Sequence, residues 1–188
     1  MVVGILAVLM TIVTTAAISS MRSSRERRMT AMKQLVVNGL ATYYAQQGRW
    51  PGAIESAASG NKDKVLDMNA SQEAIREIVR ESSKRGGTPY VNSSALFVAP
   101  SGVTDGRGSG VDFKAALKGD GHRRPIGVSQ MAFGYQTKHS GRFRRFLLIY
   151  RASTDSIEIA DHCENCIEKS EEGKIGNCRN GNCPCHRE

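Results

Sequence analysis

No charged side chain occurs between Met1 and Met21, and no cysteine occurs before Cys163. Aromatic residues make up only 6% of the 188 residues, with a single tryptophan. The enzyme classes find no foothold. No Ser/His/Asp set, phosphate loop or pair of carboxylates stands in a recognisable motif, and the Asp105-Gly-Arg-Gly-Ser-Gly stretch lacks the spacing and the preceding strand of a dinucleotide fingerprint. Nothing basic precedes Val2, which counts against a cleaved signal peptide, because such a peptide opens on a positive region. Wholesale disorder does not fit a composition of 40% hydrophobic and 23% charged residues.

The charge-free start is the first positive feature. A helix from Met1 to Ile18 would span roughly 27 Å, near the ~30 Å hydrocarbon core of a bilayer. Thr11, Thr14 and Thr15 can return their hydroxyls to the helix's own carbonyls. A signal peptide cleaved near Thr15-Ala16-Ala17 and a buried core helix are the rival readings. A membrane anchor is the expectation, because a helical pattern continues past Ala17. Arg22, Arg25, Arg27 and Arg28 follow at once. By the positive-inside rule they would hold the C-terminal side in the cytoplasm unless a basic leader precedes the anchor.

Beyond Arg22 the pattern becomes one-sided. Met29, Met32, Val36, Leu40 and Tyr43 recur at spacings of three and four, which is one stripe of a helix. Gln46-Gln47-Gly48 and then Pro51 end it. One helix of some 45 residues therefore has a membrane half, 1–21, and an amphipathic half, 22–48.

The run MVVGILAVLMTIV, the basic amphipathic helix and the ending TYYAQQGRWPG together resemble the N-terminal region of type IV pilins and type II secretion pseudopilins. The likeness covers roughly residues 1–51, and its most specific part is Tyr43, Tyr44, Gly48, Trp50 and Pro51. It implies an α+β fold in which a long N-terminal helix packs on a small antiparallel sheet. It also implies a non-enzymatic filament subunit, held in the bacterial inner membrane before assembly, with its globular domain in the periplasm or on the filament surface. Val2, Val3, Ile5, Leu6, Val8, Leu9, Ile12 and Val13 would exchange lipid for the helices of other subunits, and the pilus or secretion assembly platform would be a further partner. The family's basic leader, Gly cleavage site and Phe-Thr-Leu-x-Glu do not precede Met1, so a chain lacking its leader is expected. The rival reading is a single-pass anchored binding protein whose Cys-rich tail takes a metal or a partner.

For the globular part, 49–161, the pattern predicts a polar connection over 52–70. A helix follows from Ser71 to Arg85, capped by Asn69 or Ser71, with Ile75, Ile78 and Val79 inward. A strand is expected over Ser94–Ala99, ended by Pro100, and then a Gly-rich loop over 101–127. Asp105 and Asp112 in that loop offer a weak calcium site. Met131–Thr137, a turn at His139-Ser140-Gly141, and Arg142–Arg151 then read as strands. The turn Ser153–Ser156 leads to Ile157 and Ile159, which completes a three-strand antiparallel meander.

The net charge of +8 is unevenly placed, with seven Arg or Lys and no acid between 123 and 151. Arg144 and Arg145 could meet nucleic acid phosphates. A solvated sheet edge, or a face toward an acidic neighbour, is the preferred account of them, and nucleic acid is not an expected partner. The tail, 162–188, holds all five cysteines, Cys163, Cys166, Cys178, Cys183 and Cys185, beside His186. The first pair has zinc-ligand spacing and the second half does not, so zinc and disulfides both stay open.

Overall fold

The apolar stripe at helical spacing becomes the spine of the molecule. The structure, a computed structural model, describes residues 2–84, 90–102, 110–119, 124–136 and 143–160, without the side chains of 2–9, 11–17, 22, 83 and 84. Helix α1 runs unbroken from Val2 to Gln47. Met32, Val36, Leu40 and Tyr43 are buried, and Met29 packs beside them. Gly39 lies in this stripe at a cost of about 1 kcal/mol of helix propensity relative to Ala. Its reason is close approach: a Cβ there would run into the Val91 Cγ2 methyl and stand 3.0 Å from the Tyr90 carbonyl oxygen. The helix stops where Gly48 takes φ +69° and its N–H bonds the Tyr44 carbonyl at 2.8 Å.

Two antiparallel sheets pack with α1. Their strands are β1 (Lys64–Val65), β2 (Phe97–Pro100), β3 (Val111–Asp112), β4 (Met131–Gln136), β5 (Phe143–Arg145), β6 (Leu148–Arg151) and β7 (Ser156–Ile159). One sheet has the order β3-β2-β4-β5 and the other β1-β6-β7. Short helices α2 (Gly52–Ala58) and α4 (Phe113–Lys118) and the longer α3 (Met68–Lys84) complete the described elements. The expected α+β class and long N-terminal helix are therefore present, with two small antiparallel sheets where one was expected.

The expected single strand over 142–151 is instead two strands in different sheets. Its first half pairs with β4, Gly134 opposite Arg145 and Tyr135 opposite Arg144. Its second half pairs with β7 and β1. The meander's antiparallel pairings hold, but β4 and β7 lie in separate sheets. At the seam, Phe146 N–H still bonds the Phe133 carbonyl at 2.9 Å, and the Leu147 carbonyl receives Ala160 N–H at 2.8 Å.

Helix α3 closes this seam with residues near its start. The Gln72 side-chain amide donates to the Phe133 and Phe146 carbonyls at 3.1 and 2.9 Å, and its oxygen accepts Phe133 N–H at 2.6 Å. Ser71 Oγ accepts Leu148 N–H at 3.1 Å. Among the described residues Ser71 and Gln72 are the buried polar ones, and no buried polar side-chain atom there lacks a partner. The expected capping role of Asn69 or Ser71 falls instead to Asp67, whose Oδ1 accepts Ala70 N–H at 2.7 Å. Ser71 is one turn further in and turned to the sheet. Ile75, Ile78 and Val79 are buried as expected.

Two further expectations change. The polar connection over 52–70 contains α2 and β1, because Ile54, Ala57 and Leu66 supply enough apolar surface to join the core. The Gly-rich loop contains β3 and α4, where Phe113 and Ala116 are buried, and its segments 103–109 and 120–123 lie outside the described residues. The strand expected over 94–99 starts at Phe97, after a 3-10 turn at Ser93–Ala95. The turn at 139–141 also lies outside the described residues.

Gln72→Leu keeps the volume at the seam, strands the Phe133 N–H, takes the Gln72 bond from the Phe146 carbonyl and leaves the Phe133 carbonyl with Phe146 N–H alone. Each such buried orphan costs about 1–3 kcal/mol. Urea unfolding of Q72L is expected to show a loss of about 2–5 kcal/mol, while the half-exposed neighbour change Glu73→Gln, which weakens only its ion pairs to Arg76 and Arg80, stays within about 1 kcal/mol. A Q72L midpoint equal to that of the parent would show that the amide does not hold the seam.

Candidate functional site: the fastening at the end of the long helix

The residues singled out at the helix end converge on two carboxylates. Tyr43 and Tyr44 are neighbours in sequence and so point about 100° apart around α1. Tyr43 faces α3 and donates its hydroxyl to Glu77 Oε1 at 2.8 Å. Glu77 Oε2 accepts Gly52 N–H at 3.1 Å, which ties the start of α2 to the same group. The Tyr43 ring meets Tyr90 edge-on at 5.2 Å, and Gln47 donates to the Tyr90 hydroxyl at 2.7 Å. Burial first, and then the bond to Glu77, pushes the Tyr43 hydroxyl up to about 12.

Tyr44 faces the other way, toward the β6–β7 turn. Its ring stacks on Trp50 at 4.4 Å between centroids and 20° between planes. Three donors meet on Asp155: Trp50 Nε1 and the Tyr150 hydroxyl on Oδ1 at 2.9 and 3.0 Å, and the Tyr44 hydroxyl on Oδ2 at 2.8 Å. Asp155 sits at φ +43°, a left-handed conformation that Asp tolerates better than most side chains. The Trp50 bond, followed by that of Tyr44, holds its carboxyl below the ordinary 3.8, against partial burial. The same contacts raise the partners: Tyr44 chiefly through its bond to Asp155, and Tyr150 chiefly through burial. Beside them Arg151 bridges Asp63 at 3.0 Å and Glu158 at 2.9 Å. The Asp63 carboxyl is held low, first by the Arg151 bond.

Pro51 is buried, and its carbonyl accepts Ile54 and Glu55 N–H at 2.8 and 3.0 Å, which starts α2 directly behind Gly48. All five residues of the helix-end motif thus serve one geometry. They fix where α1 ends and which way it leaves the domain. The arrangement is a fastening of neutral donors on carboxylates.

The other expected sites fare differently. The backbone of Val2, Val3, Ile5, Leu6, Val8, Leu9, Ile12 and Val13 lies in α1, and their side chains are outside the described residues. Cys163, Cys166, Cys178, Cys183, Cys185 and His186, with the zinc or disulfide alternatives, also lie outside, as does Asp105. Asp112 is in an ion pair with Arg28 at 2.8 Å. Arg144 and Arg145 stand on β5. Among the described residues no group of three or more His, Cys, Asp or Glu is placed to hold a metal, and no helix is long and apolar enough to cross a membrane. That second statement does not take in the side chains of 2–9 and 11–17.

The sequence reading missed Glu77, Asp155 and Gln72. Asp155 was seen only as turn chemistry, and no spacing links residues 44, 50, 150 and 155. No family profile, no curated protein and no solved structure matches the chain.

A carboxyl whose folded value lies below its unfolded one stabilises the fold above the unfolded value, and that stability is lost as pH falls through the folded value. Asp155→Asn keeps the left-handed turn and removes the charge. Its thermal stability at pH 7 is expected to fall by about 2–4 °C, in line with a loss of ~1 kcal/mol. The gap to the parent should close as pH drops below 3.8, the ordinary aspartate value. Parallel melting curves from pH 7 down to 2.5 would remove Asp155 from the fastening.

Proposed function

We propose that the protein is a structural subunit of a type IV pilus-like or type II secretion pseudopilus filament that assembles by packing of its N-terminal helices. One observation carries the reading. Helix α1 has 46 residues, roughly 69 Å at 1.5 Å per residue, yet its inward-facing stripe begins only at Met29. The preceding stretch is charge-free up to Met21, and Met10, Ile18 and Met21 are 73%, 51% and 63% exposed. The charge-free stretch from Val2 to Met21 is about 30 Å of helix, and with its described apolar side chains exposed it needs an apolar surrounding. Lipid supplies one before assembly, and the helices of neighbouring subunits supply one afterwards. That exchange has little hydrophobic driving force, so side-chain packing must provide the specificity.

The fastening supports the same reading. A helix whose outer half is gripped by other molecules must be held firmly by its own domain. Here the grip is a buried stripe with two carboxylate ties at the end.

Photoreactive side chains placed at Met10 and Ile18 in the full chain, expressed in a bacterial cell, are expected to give a ladder of chain-to-chain adducts in the membrane fraction. Ile12→Ala with Val13→Ala keeps the segment apolar and should reduce the ladder several-fold while the chain stays in the membrane. Adducts to lipid alone, with a monomeric chain, would favour a single-pass anchored binding protein. A chain recovered in the soluble fraction would end both readings.

A further inference from the structure

The charge of the domain is unevenly placed along α1. Arg28 and Tyr44 are separated by about 24 Å of helix. At the Tyr44 end acids and bases are mixed: Asp63, Glu77, Asp155 and Glu158 stand there with Arg49, Lys62, Lys64 and Arg151. At the other end, where α1 leaves the domain, the described residues carry mainly positive charge. Arg28 lies over the Phe97 ring at 4.5 Å and pairs with Asp112. Lys33 lies over Tyr135 at 5.0 Å, and Arg144 is opposite Tyr135 in the ladder. Asp112 leads directly into α4, where Lys114 and Lys118 are exposed. Between those lysines Leu117 is 43% exposed, a large apolar side chain facing solvent within a basic patch. Glu26 and Asp112 are the acids beside this rim, and Arg25 and Arg27 lie exposed just outside it on α1.

We infer that this basic rim, with Leu117 as an apolar wedge, docks on an anionic phospholipid headgroup layer. The inference rests on the reading that the charge-free half of α1 enters a membrane, and it adds what the domain itself touches there. Two features point to lipid. The rim is continuous with the charge-free segment: Arg28 follows Met21 by seven residues, about 10 Å of helix, so a bilayer holding that segment sets its headgroups against the rim. A lysine pair flanking a leucine also suits an interface with charge at the surface and hydrocarbon just below. Each lysine near an anionic leaflet adds about 1 kcal/mol, roughly fivefold in a docking constant, and salt screens it over ~10 Å.

The test uses the full chain carrying Leu117→Trp, with buried Trp50 at the far end as internal control. It is reconstituted in vesicles that carry the same fraction of brominated phosphatidylcholine, without and with about one third phosphatidylglycerol. The expected result is a blue shift and bromine quenching of the new tryptophan in anionic vesicles only. Lys114→Gln with Lys118→Gln should weaken this about 25-fold in the salt-dependent docking constant, with the chain still floating alongside the vesicles. Unquenched L117W on a chain that floats overturns the rim proposal and leaves the anchor standing. A chain that floats with neither vesicle overturns both. Emission that responds to duplex DNA and not to anionic vesicles overturns it in favour of nucleic acid. Carbodiimide cross-links from Lys114 or Lys118 to Asp63 or Glu158 of a second copy, in place of quenching, overturn it in favour of subunit contact.

Discussion

Everything in the domain depends on one side chain that finishes a broken sheet. Between Arg145 and Leu148 the chain leaves one sheet and enters the other, and such a crossing leaves backbone groups that the ladders pair only in part. The Gln72 amide matches them with two donated bonds and one accepted bond, and Ser71 adds a fourth. Only an amide offers donors and an acceptor at once in so small a space. Because Gln72 lies near the start of α3, this bonding also fixes where α3 sits. That placement sets Ile75, Ile78 and Val79 into the core and brings Glu77 within reach of Tyr43. The seam thus locates the group that fastens α1.

Periodic features were the legible ones. The stripe from Met29 to Tyr43, the stop at Gly48 and the inward face of α3 follow from spacing alone, because each is a local consequence of helix geometry, whereas β4, read as alternating, is buried on both faces. The split of 142–151 was not legible. Its apolar run, Phe146 to Tyr150, reads equally as one buried strand or two, and the partner that divides it lies more than seventy residues earlier. The same holds for the cap of α3, where Asp67, Asn69 and Ser71 are all capping residue types and only burial of Ser71 tells them apart. The fastening was half legible. Tyr43, Tyr44 and Trp50 announced themselves as a group, while their acceptors Glu77 and Asp155 are far away in sequence, on elements whose approach depends on the seam.

A magnitude separates what holds α1 from what aims it. Met32, Val36, Leu40 and Tyr43 each remove a full side chain from water, worth roughly 2 kcal/mol apiece. The hydrogen bonds at Glu77 and Asp155 contribute about 1 kcal/mol each at best, and less at Asp155, which is open to solvent. The stripe is therefore the adhesive. But a stripe of apolar contacts tolerates small rotation and sliding, since dispersion has no strong direction. Two ties on side chains about 100° apart around the helix do not. Tyr43 held by α3 and Tyr44 held by the β6–β7 turn together set both the rotation and the height of α1. In a filament of the kind proposed, rotation decides which apolar side chains of the outer half meet a neighbour. A shift of one residue in height would move every contact by 1.5 Å. Hydrogen bonds that add little to stability can then govern assembly, because they set the register in which the outer half of α1 is presented.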